Sequence, residues 1–194
     1  YLETMHKNAL RLLKLINNLL DFAKIESKQA ELHRQPLELP RLVGDIVESA
    51  RPMAERKGVA LSAECAPGLP IVNADPDALE KILVNLVGNA LKFTDAGGSI
   101  RVRVERDAGD AAPGADAGQG GSVRLSVIDS GVGIPPDQLD RVFDRFAQVD
   151  GSATRRHEGT GIGLSLVSEL TALHGGRAWA TSEGLGHGSQ FHVS

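Results

Sequence analysis

The opening stretch of the chain repeats apolar positions at alternating spacings of three and four residues. This heptad pattern predicts one helix over residues 2–26, about 37 Å long at 1.5 Å per residue. An isolated helix of this length is only marginally stable in water, so the pattern favours a multi-helix bundle across a homodimer. The alternative is that the helix packs on its own domain. The pattern begins in mid-register, so we expect the natural protein to continue upstream. Its apolar positions are Leu2, Met5, Ala9, Leu12, Ile16, Leu19 and Ala23.

Beyond a polar stretch at residues 27–40, the pattern alternates between helical and strand periods. Pro40 suits a first helical position, and Pro52 is expected to kink or end that helix. Strands and helices are interspersed without strict βαβ alternation, which favours an α+β sandwich with a mixed sheet and helices on one face. The predicted helices are residues 76–93, 136–143 and 162–174. The predicted strands are residues 59–64, 71–74, 99–105, 122–128, 177–181 and 190–194.

Composition excludes several classes of function. The chain has 194 residues, enough for one domain with an appendage, and a formal net charge of −4. That balance gives no electrostatic footprint for nucleic acid or an anionic membrane, so neither contact is expected. A single cysteine, Cys65, excludes a disulfide framework and a cysteine-clustered zinc site, and it fits a reducing, cytoplasmic compartment. Apolar runs fall far short of the ~20 residues that cross a bilayer, although the parent protein could be membrane-anchored elsewhere.

One stretch is too simple in composition to carry chemistry. Residues 107–121 contain only Gly, Ala, Asp, Pro and Gln, so they offer almost nothing to bury. We interpret them as a mobile loop without a catalytic role.

The helix over residues 76–93 carries a candidate polar site. Asn85, Asn89 and Lys92 fall within an arc of about 60°, while apolar residues occupy another face. A carboxamide oxygen suits magnesium, which keeps most of its ligands as water and phosphate, and a lysine ammonium suits phosphate oxygens. The alternative is an ordinary solvated helix face.

Two glycine-containing turns supply further candidates. Asp129 ends a buried strand and is followed by Gly131 and Gly133, so it could accept an exocyclic amine while the backbone approaches a flat ring. Residues 159–164, Gly-Thr-Gly-Ile-Gly-Leu, enter a helix, where backbone N–H groups can approach an anion. Their spacing is not the dinucleotide fingerprint. The basic residues 155–157 could close over a nucleotide as a lid. A plain Asp-Gly turn and a simple glycine hinge are the alternatives.

The order of these segments resembles sensor histidine kinases of two-component systems. Residues 85–94, 129–134, 143–146 and 159–164 resemble their N, G1, F and G2 boxes, and residues 186–191 their closing glycine motif. The resemblance spans nearly the whole chain. It implies the Bergerat-type fold shared with gyrase B, Hsp90 and MutL: a two-layer α/β sandwich with a mixed, mainly antiparallel sheet, here preceded by a long N-terminal helix.

The resemblance also implies a Mg²⁺–ATP site. Its catalytic residues would be Asn85, Lys92 and Arg155, and Asn89 would be the magnesium ligand. Asp129 would accept the adenine amine. Asn85 and Lys92 would lie at the phosphates, and Arg155, with Arg145 as a second candidate, would reach the terminal phosphate. The other nucleotide-binding residues implied are Phe93, Gly131, Gly133, Thr160, Gly161, Gly163, Leu164 and Ser189.

Domain boundaries and partners follow from the same resemblance. Residues 1–30 resemble the second helix of the dimerisation hairpin, and residues 31–194 the ATP-binding catalytic domain. None of the six histidines stands in the family's acceptor motif, so we expect the acceptor helix upstream. The implied partners are ATP, that acceptor helix, a response-regulator receiver domain and a second copy of the chain.

The residue at position 85 bears on the type of reaction. ATP-hydrolysing branches of the superfamily place a glutamate four residues before the magnesium-binding asparagine; here Asn85 stands there and cannot act as a general base. Transfer to a neutral imidazole needs no strong base, which favours a histidine kinase that feeds a phosphorelay. A nucleotide-binding scaffold without transfer activity and a serine-directed kinase of the same fold stay open.

Overall fold

A computed structural model describes residues 2–27, 31–107, 122–145 and 161–194. Its helices are α1 (Leu2–Glu26), α2 (Leu39–Lys57), α3 (Pro76–Phe93) and α4 (Gly163–Leu173), with a 3₁₀ helix at Pro136–Arg141. Its strands are β1 (Gln35–Leu37), β2 (Ala60–Cys65), β3 (Val72–Ala74), β4 (Ser99–Arg106), β5 (Val123–Asp129), β6 (Ala178–Thr181) and β7 (Ser189–Val193). Within these ranges, no helix combines the length and apolar character needed to cross a membrane.

The main sheet has five strands in the order β2-β4-β5-β7-β6. Only the β2–β4 pair is parallel, so the predicted mixed, mainly antiparallel sheet is confirmed. Period-2 alternation sends Val102 and Val104 of β4 into the core, where they are fully buried, while Arg101 stays exposed. Buried residues of α2, α3 and α4 complete that core, among them Val43, Leu83, Leu86 and Val167.

The beginning of α3 is fixed by its cap. The carboxylate of Asp75 accepts the N–H of Ala78 at 3.1 Å and the N–H of His33 at 2.8 Å. Burial opposes the ionised form, but these hydrogen bonds outweigh it and lower the pKa of Asp75. The N–H of Asp75 donates to Nε2 of His174, just beyond α4, at 3.1 Å. The cap therefore joins the start of α3 to the end of α4.

Two features go beyond the sequence-based expectations. β1 lies inside the polar stretch at residues 27–40, for which no strand was predicted, and it pairs antiparallel with β3. Pro52 does not end α2, which continues to Lys57, and a kink at Pro52 stays a prediction. The proline removes one helical hydrogen bond, but burial of Ile46 and Ala54 on either side of it holds the helix on the sheet.

The carboxyl-terminal part of α1 packs on the rest of the chain. Phe22 is buried, and Lys81 of α3 donates to the carboxylate of Asp21 at 2.8 Å. Other apolar side chains of α1 remain between 47% and 67% exposed: Met5, Leu12, Leu13, Ile16, Leu19 and Leu20. One end of the helix therefore contacts the sandwich, while its apolar seam faces outward.

Candidate functional site

A buried carboxylate marks the centre of the candidate site. Asp129 ends β5 and is 6% exposed. Its Oδ1 accepts the N–H of Gly131 at 2.8 Å, and its Oδ2 accepts the hydroxyl of Ser189 at 2.5 Å. Burial raises the pKa of Asp129, and these hydrogen bonds counter part of the rise. Because each carboxylate oxygen has two lone pairs, Asp129 can accept a further N–H from a ligand.

The glycines after Asp129 are required by close backbone contacts within the protein. Gly133 has φ +73°, and a Cβ there would overlap the carbonyl oxygen of Gly184. A Cβ on Gly131 would lie 2.5 Å from the carbonyl oxygen of Phe93. The carbonyl of Gly131 accepts the N–H of Gly188 at 3.1 Å. This turn is therefore wedged between the end of α3 and the loop that precedes β7, which leaves no room for side chains.

The three candidate polar residues of α3 are buried or half-buried. Asn85 is buried, its Nδ2 donates to the carbonyl of Lys81 at 2.8 Å, and a Cβ on Gly163 would stand 3.0 Å from its Oδ1. Asn89 and Lys92 are half-buried. The ammonium of Lys92 lies 4.3 Å from the ring centroid of Phe93. Amide oxygens, an ammonium and a buried carboxylate acceptor form a donor and acceptor set that fits magnesium, phosphate and a purine amine.

Comparison with known proteins assigns the chain to a family. Residues 74–194 match the family described as histidine kinase-, DNA gyrase B-, and HSP90-like ATPase. The chain belongs to this family. It is 38% identical over 176 residues to an uncharacterized sensor-like histidine kinase of Rhizobium meliloti. That alignment covers 91% of the chain and 31% of the Rhizobium protein. The chain is also 38% identical over 193 residues to the histidine protein kinase DivJ of Caulobacter vibrioides, which covers 100% of the chain and 30% of DivJ.

Solved structures agree with this assignment. Full-length ShkA in complex with AMPPNP superposes with a TM-score of 0.81 and 34% identity, over 100% of the chain and 37% of ShkA. The histidine kinase AdeS of Acinetobacter baumannii has a TM-score of 0.76 at 18% identity, over 98% of the chain and 81% of that chain, and supports the fold. The resemblance to sensor histidine kinases and the sandwich fold are thus confirmed. The chain spans between 10% and 31% of the length of the curated relatives compared with it.

The G2 segment of this family member is described from Gly161 onward. Gly161 has φ +68°, and α4 begins at Gly163 with no side-chain hydrogen bond capping it from Ile162. Leu164 is half-buried against the core. Contact of this segment with an anion stays a prediction from the glycine spacing. Arg155 and Thr160 lie outside the described residues, as do residues 108–121 of the predicted mobile loop.

Arg145 points toward other helices in this kinase-like domain. Its Nη2 lies 3.4 Å from Oε1 of Glu169 in α4, and its guanidinium lies 5.2 Å from the ring centroid of Phe22 in α1. Contact of Arg145 with a terminal phosphate stays a prediction.

Two residues that shape the site were missed from the sequence. The hydroxyl of Ser182 accepts the N–H of Ile134 at 3.0 Å and donates to the carbonyl of Gly188 at 2.6 Å, which ties the G1 turn to the last loop. The ammonium of Lys57 donates to two carbonyls at the end of α3. Neither residue belongs to a motif, and both act on segments distant in sequence, so periodicity carries no signal for them.

Proposed function

We propose that the chain is the catalytic part of a protein-histidine kinase that binds Mg²⁺–ATP and transfers the γ-phosphate to a histidine. In this proposal residues 31–194 form the ATP-binding catalytic domain, and residues 1–30 the second helix of the dimerisation hairpin. The observation that carries the proposal is the buried Asp129, held by Ser189 and Gly131 beside the helix that presents Asn85, Asn89 and Lys92.

Asp129 would select the adenine base. Asp129 lies in the interior, where little water competes for its carboxylate. A ligand N–H that reaches Asp129 therefore displaces little water from that carboxylate. The hydrogen bonds from Ser189 and Gly131 fix the orientation of the carboxylate before a ligand arrives. Phe93 supplies an apolar surface near the same turn, since its carbonyl accepts the N–H of Val132 at 3.2 Å. A flat ring with an exocyclic amine fits these constraints.

The α3 side chains and the start of α4 would hold the triphosphate. Asn89 offers a neutral oxygen to magnesium, and Lys92 offers a positive charge to phosphate oxygens. When bound, magnesium neutralises phosphate charge and orients the transferred group. The proposed contacts of Arg155, Arg145, Thr160, Gly161, Gly163 and Leu164 complete the phosphate environment.

Asn85 supports transfer rather than hydrolysis. An amide cannot take a proton from water at neutral pH, and its Nδ2 is already bonded to the carbonyl of Lys81. A histidine acceptor is a nucleophile in its neutral form, so positioning and charge neutralisation suffice. Asn85 therefore supplies no base at this position, and transfer to histidine does not require one there.

The proposed partners lie outside the chain. The acceptor histidine would stand on an upstream helix, and its phosphate would pass to an aspartate of a response-regulator receiver domain. The exposed apolar side chains of α1, such as Leu12 and Leu19, support packing against other helices in a homodimer.

The test combines this chain with a separately produced acceptor helix, Mg²⁺ and γ-labelled ATP. We expect a label on the helix that is labile in acid and stable in base, as a phosphohistidine is, and no label with Asn89→Ala. Magnesium-dependent ATP binding without transfer would instead favour the scaffold. An acid-stable label on a serine would favour the serine-directed kinase.

A further inference from the structure

The carboxyl end of α3 lies where the predicted phosphate and base contacts meet. The last four carbonyls of any α-helix have no partner within the helix and need one elsewhere. In α3 the first of them, on Ala90, accepts the N–H of Thr94 at 3.0 Å. The last, on Phe93, accepts the N–H of Val132 in the G1 turn at 3.2 Å. Two carbonyls between them remain to be satisfied.

A single side chain from another helix satisfies both. The ammonium of Lys57 donates to the carbonyl of Leu91 at 2.6 Å and to the carbonyl of Lys92 at 3.0 Å. Lys57 is half-buried, so these hydrogen bonds are partly shielded from water. Its positive charge also lies at the negative end of the α3 dipole.

The backbone around Lys57 is itself anchored. Lys57 is the last residue of α2, and Gly58 ends that helix in the left-handed region at φ +70°. The carbonyl of Gly58 accepts the N–H of Gly97 at 2.7 Å, and the N–H of Ala60 donates to Gly98 at 2.9 Å. These bonds tie the end of α2 to the loop that follows α3. The backbone that carries the Lys57 side chain is therefore held in place by hydrogen bonds to that loop.

We propose that Lys57 is a positioning residue for nucleotide binding, which fixes the last turn of α3 and through it Lys92, Phe93 and the G1 turn. The inference rests on the proposed function, in which those residues hold Mg²⁺–ATP. Lys57 touches no part of the nucleotide in this arrangement. Without its ammonium, the carbonyls of Leu91 and Lys92 each lose a charged donor, and the turn that carries Lys92 is held less firmly.

The test compares Lys57→Met, which keeps the length of the side chain and removes its donors, with Arg56→Met as a matched control. Arg56 is an exposed cation in the same last turn of α2. We expect Lys57→Met to weaken Mg²⁺–ATP binding about tenfold in calorimetry, well below the melting temperature. We expect Arg56→Met to bind within about twofold of the wild type, and Lys57→Arg to recover most of the affinity.

A double-variant cycle separates positioning from a merely structural role. If Lys57 acts through Lys92, Lys57→Met should cost much less affinity in a Lys92→Ala background than alone. If Lys57→Met does not fold, Lys57→Gln takes its place in each comparison. Glutamine retains a shorter and neutral donor, so we expect a smaller loss of Mg²⁺–ATP affinity.

Three results would decide against the inference. Wild-type affinity in Lys57→Met with only a lower melting temperature would reject positioning, and so would losses that add fully in the double variant. Both leave the proposed function standing. A wild-type chain that binds no ATP would reject the proposed function, and the inference with it.

Discussion

At the scale of one residue, the buried carboxylate of Asp129 lowers the stability of the fold that holds it. The side chain is buried, and burial raises the pKa of its carboxyl despite hydrogen bonds from Ser189 and Gly131. A carboxyl whose pKa is raised on folding contributes stability below its unfolded pKa and loses that contribution as the pH rises through the folded pKa. At neutral pH the ligand-free protein therefore carries a destabilising charge at this position.

We predict that Asp129→Asn raises the unfolding free energy of the ligand-free protein at pH 7. The amide removes the buried charge, and its oxygen can still accept the N–H of Gly131. The difference from the wild type should shrink as the pH falls through the raised pKa of Asp129, because the wild-type carboxyl then becomes protonated. Denaturant unfolding across this range measures it, with Asp95→Asn, an exposed carboxylate close in sequence to α3, as the control. A difference that is independent of pH would contradict the assignment.

The sequence identifies some of these residues and not others for a physical reason. Asp129 is recognisable because an alternating strand ends on it, and Asn85, Asn89 and Lys92 because helical geometry gathers them in one arc. Lys57 resembles any surface lysine until the fold brings α2 against the end of α3. Local patterns report which residues share an element, whereas contacts between elements depend on the tertiary structure.

At the scale of elements, the G1 turn packs tightly against the loop that precedes β7. Gly133 has φ +73° and no room for a Cβ beneath Gly184, whereas Gly175 has φ +84° with open space around it. An alanine at Gly175 would therefore lower the stability only through its backbone conformation, whereas an alanine at Gly133 would also overlap its neighbours.

We predict that Gly175→Ala lowers the unfolding free energy by about 1 kcal/mol, the usual cost of a left-handed alanine. Gly133→Ala should cost about 3 kcal/mol or more, because the overlap with Gly184 must also be relieved by moving the backbone. Thermal and denaturant unfolding of both variants measure the difference. Equal losses would mean that the loop before β7 is not held against the G1 turn.

The predictability of each element follows from where its stability comes from. The bounds of α3 match the prediction because Asp75 caps it and Pro76 begins it, both of which are local signals. β1 has only three residues and depends on pairing with β3, so its own sequence pattern is too short to predict a strand. Pro52 is tolerated inside α2 because packing of neighbouring residues outweighs a local preference. The helix expected at residues 136–143 is a 3₁₀ helix at Pro136–Arg141.

At the scale of the whole molecule, the chain combines a site with an outward-facing helix. The heptad pattern predicts α1 and an apolar seam along it, but not the burial of Phe22 or the ion pair of Asp21 with Lys81, which depend on how the helix meets the sandwich. The backbone carbonyl of Lys81 also accepts the side-chain N–H of Asn85. Lys81 therefore contacts both Asp21 of α1 and Asn85 of the predicted phosphate site.

In the proposed site, Asn89, Lys92 and Asp129 surround one Mg²⁺–ATP. Titration calorimetry with ATP, in the presence and absence of magnesium, measures whether they do. We expect one site per chain, loss of the magnesium dependence in Asn89→Ala, and weaker binding with poorer discrimination against guanine nucleotides in Asp129→Asn. No heat with the wild type, or wild-type affinity in both variants, would contradict it.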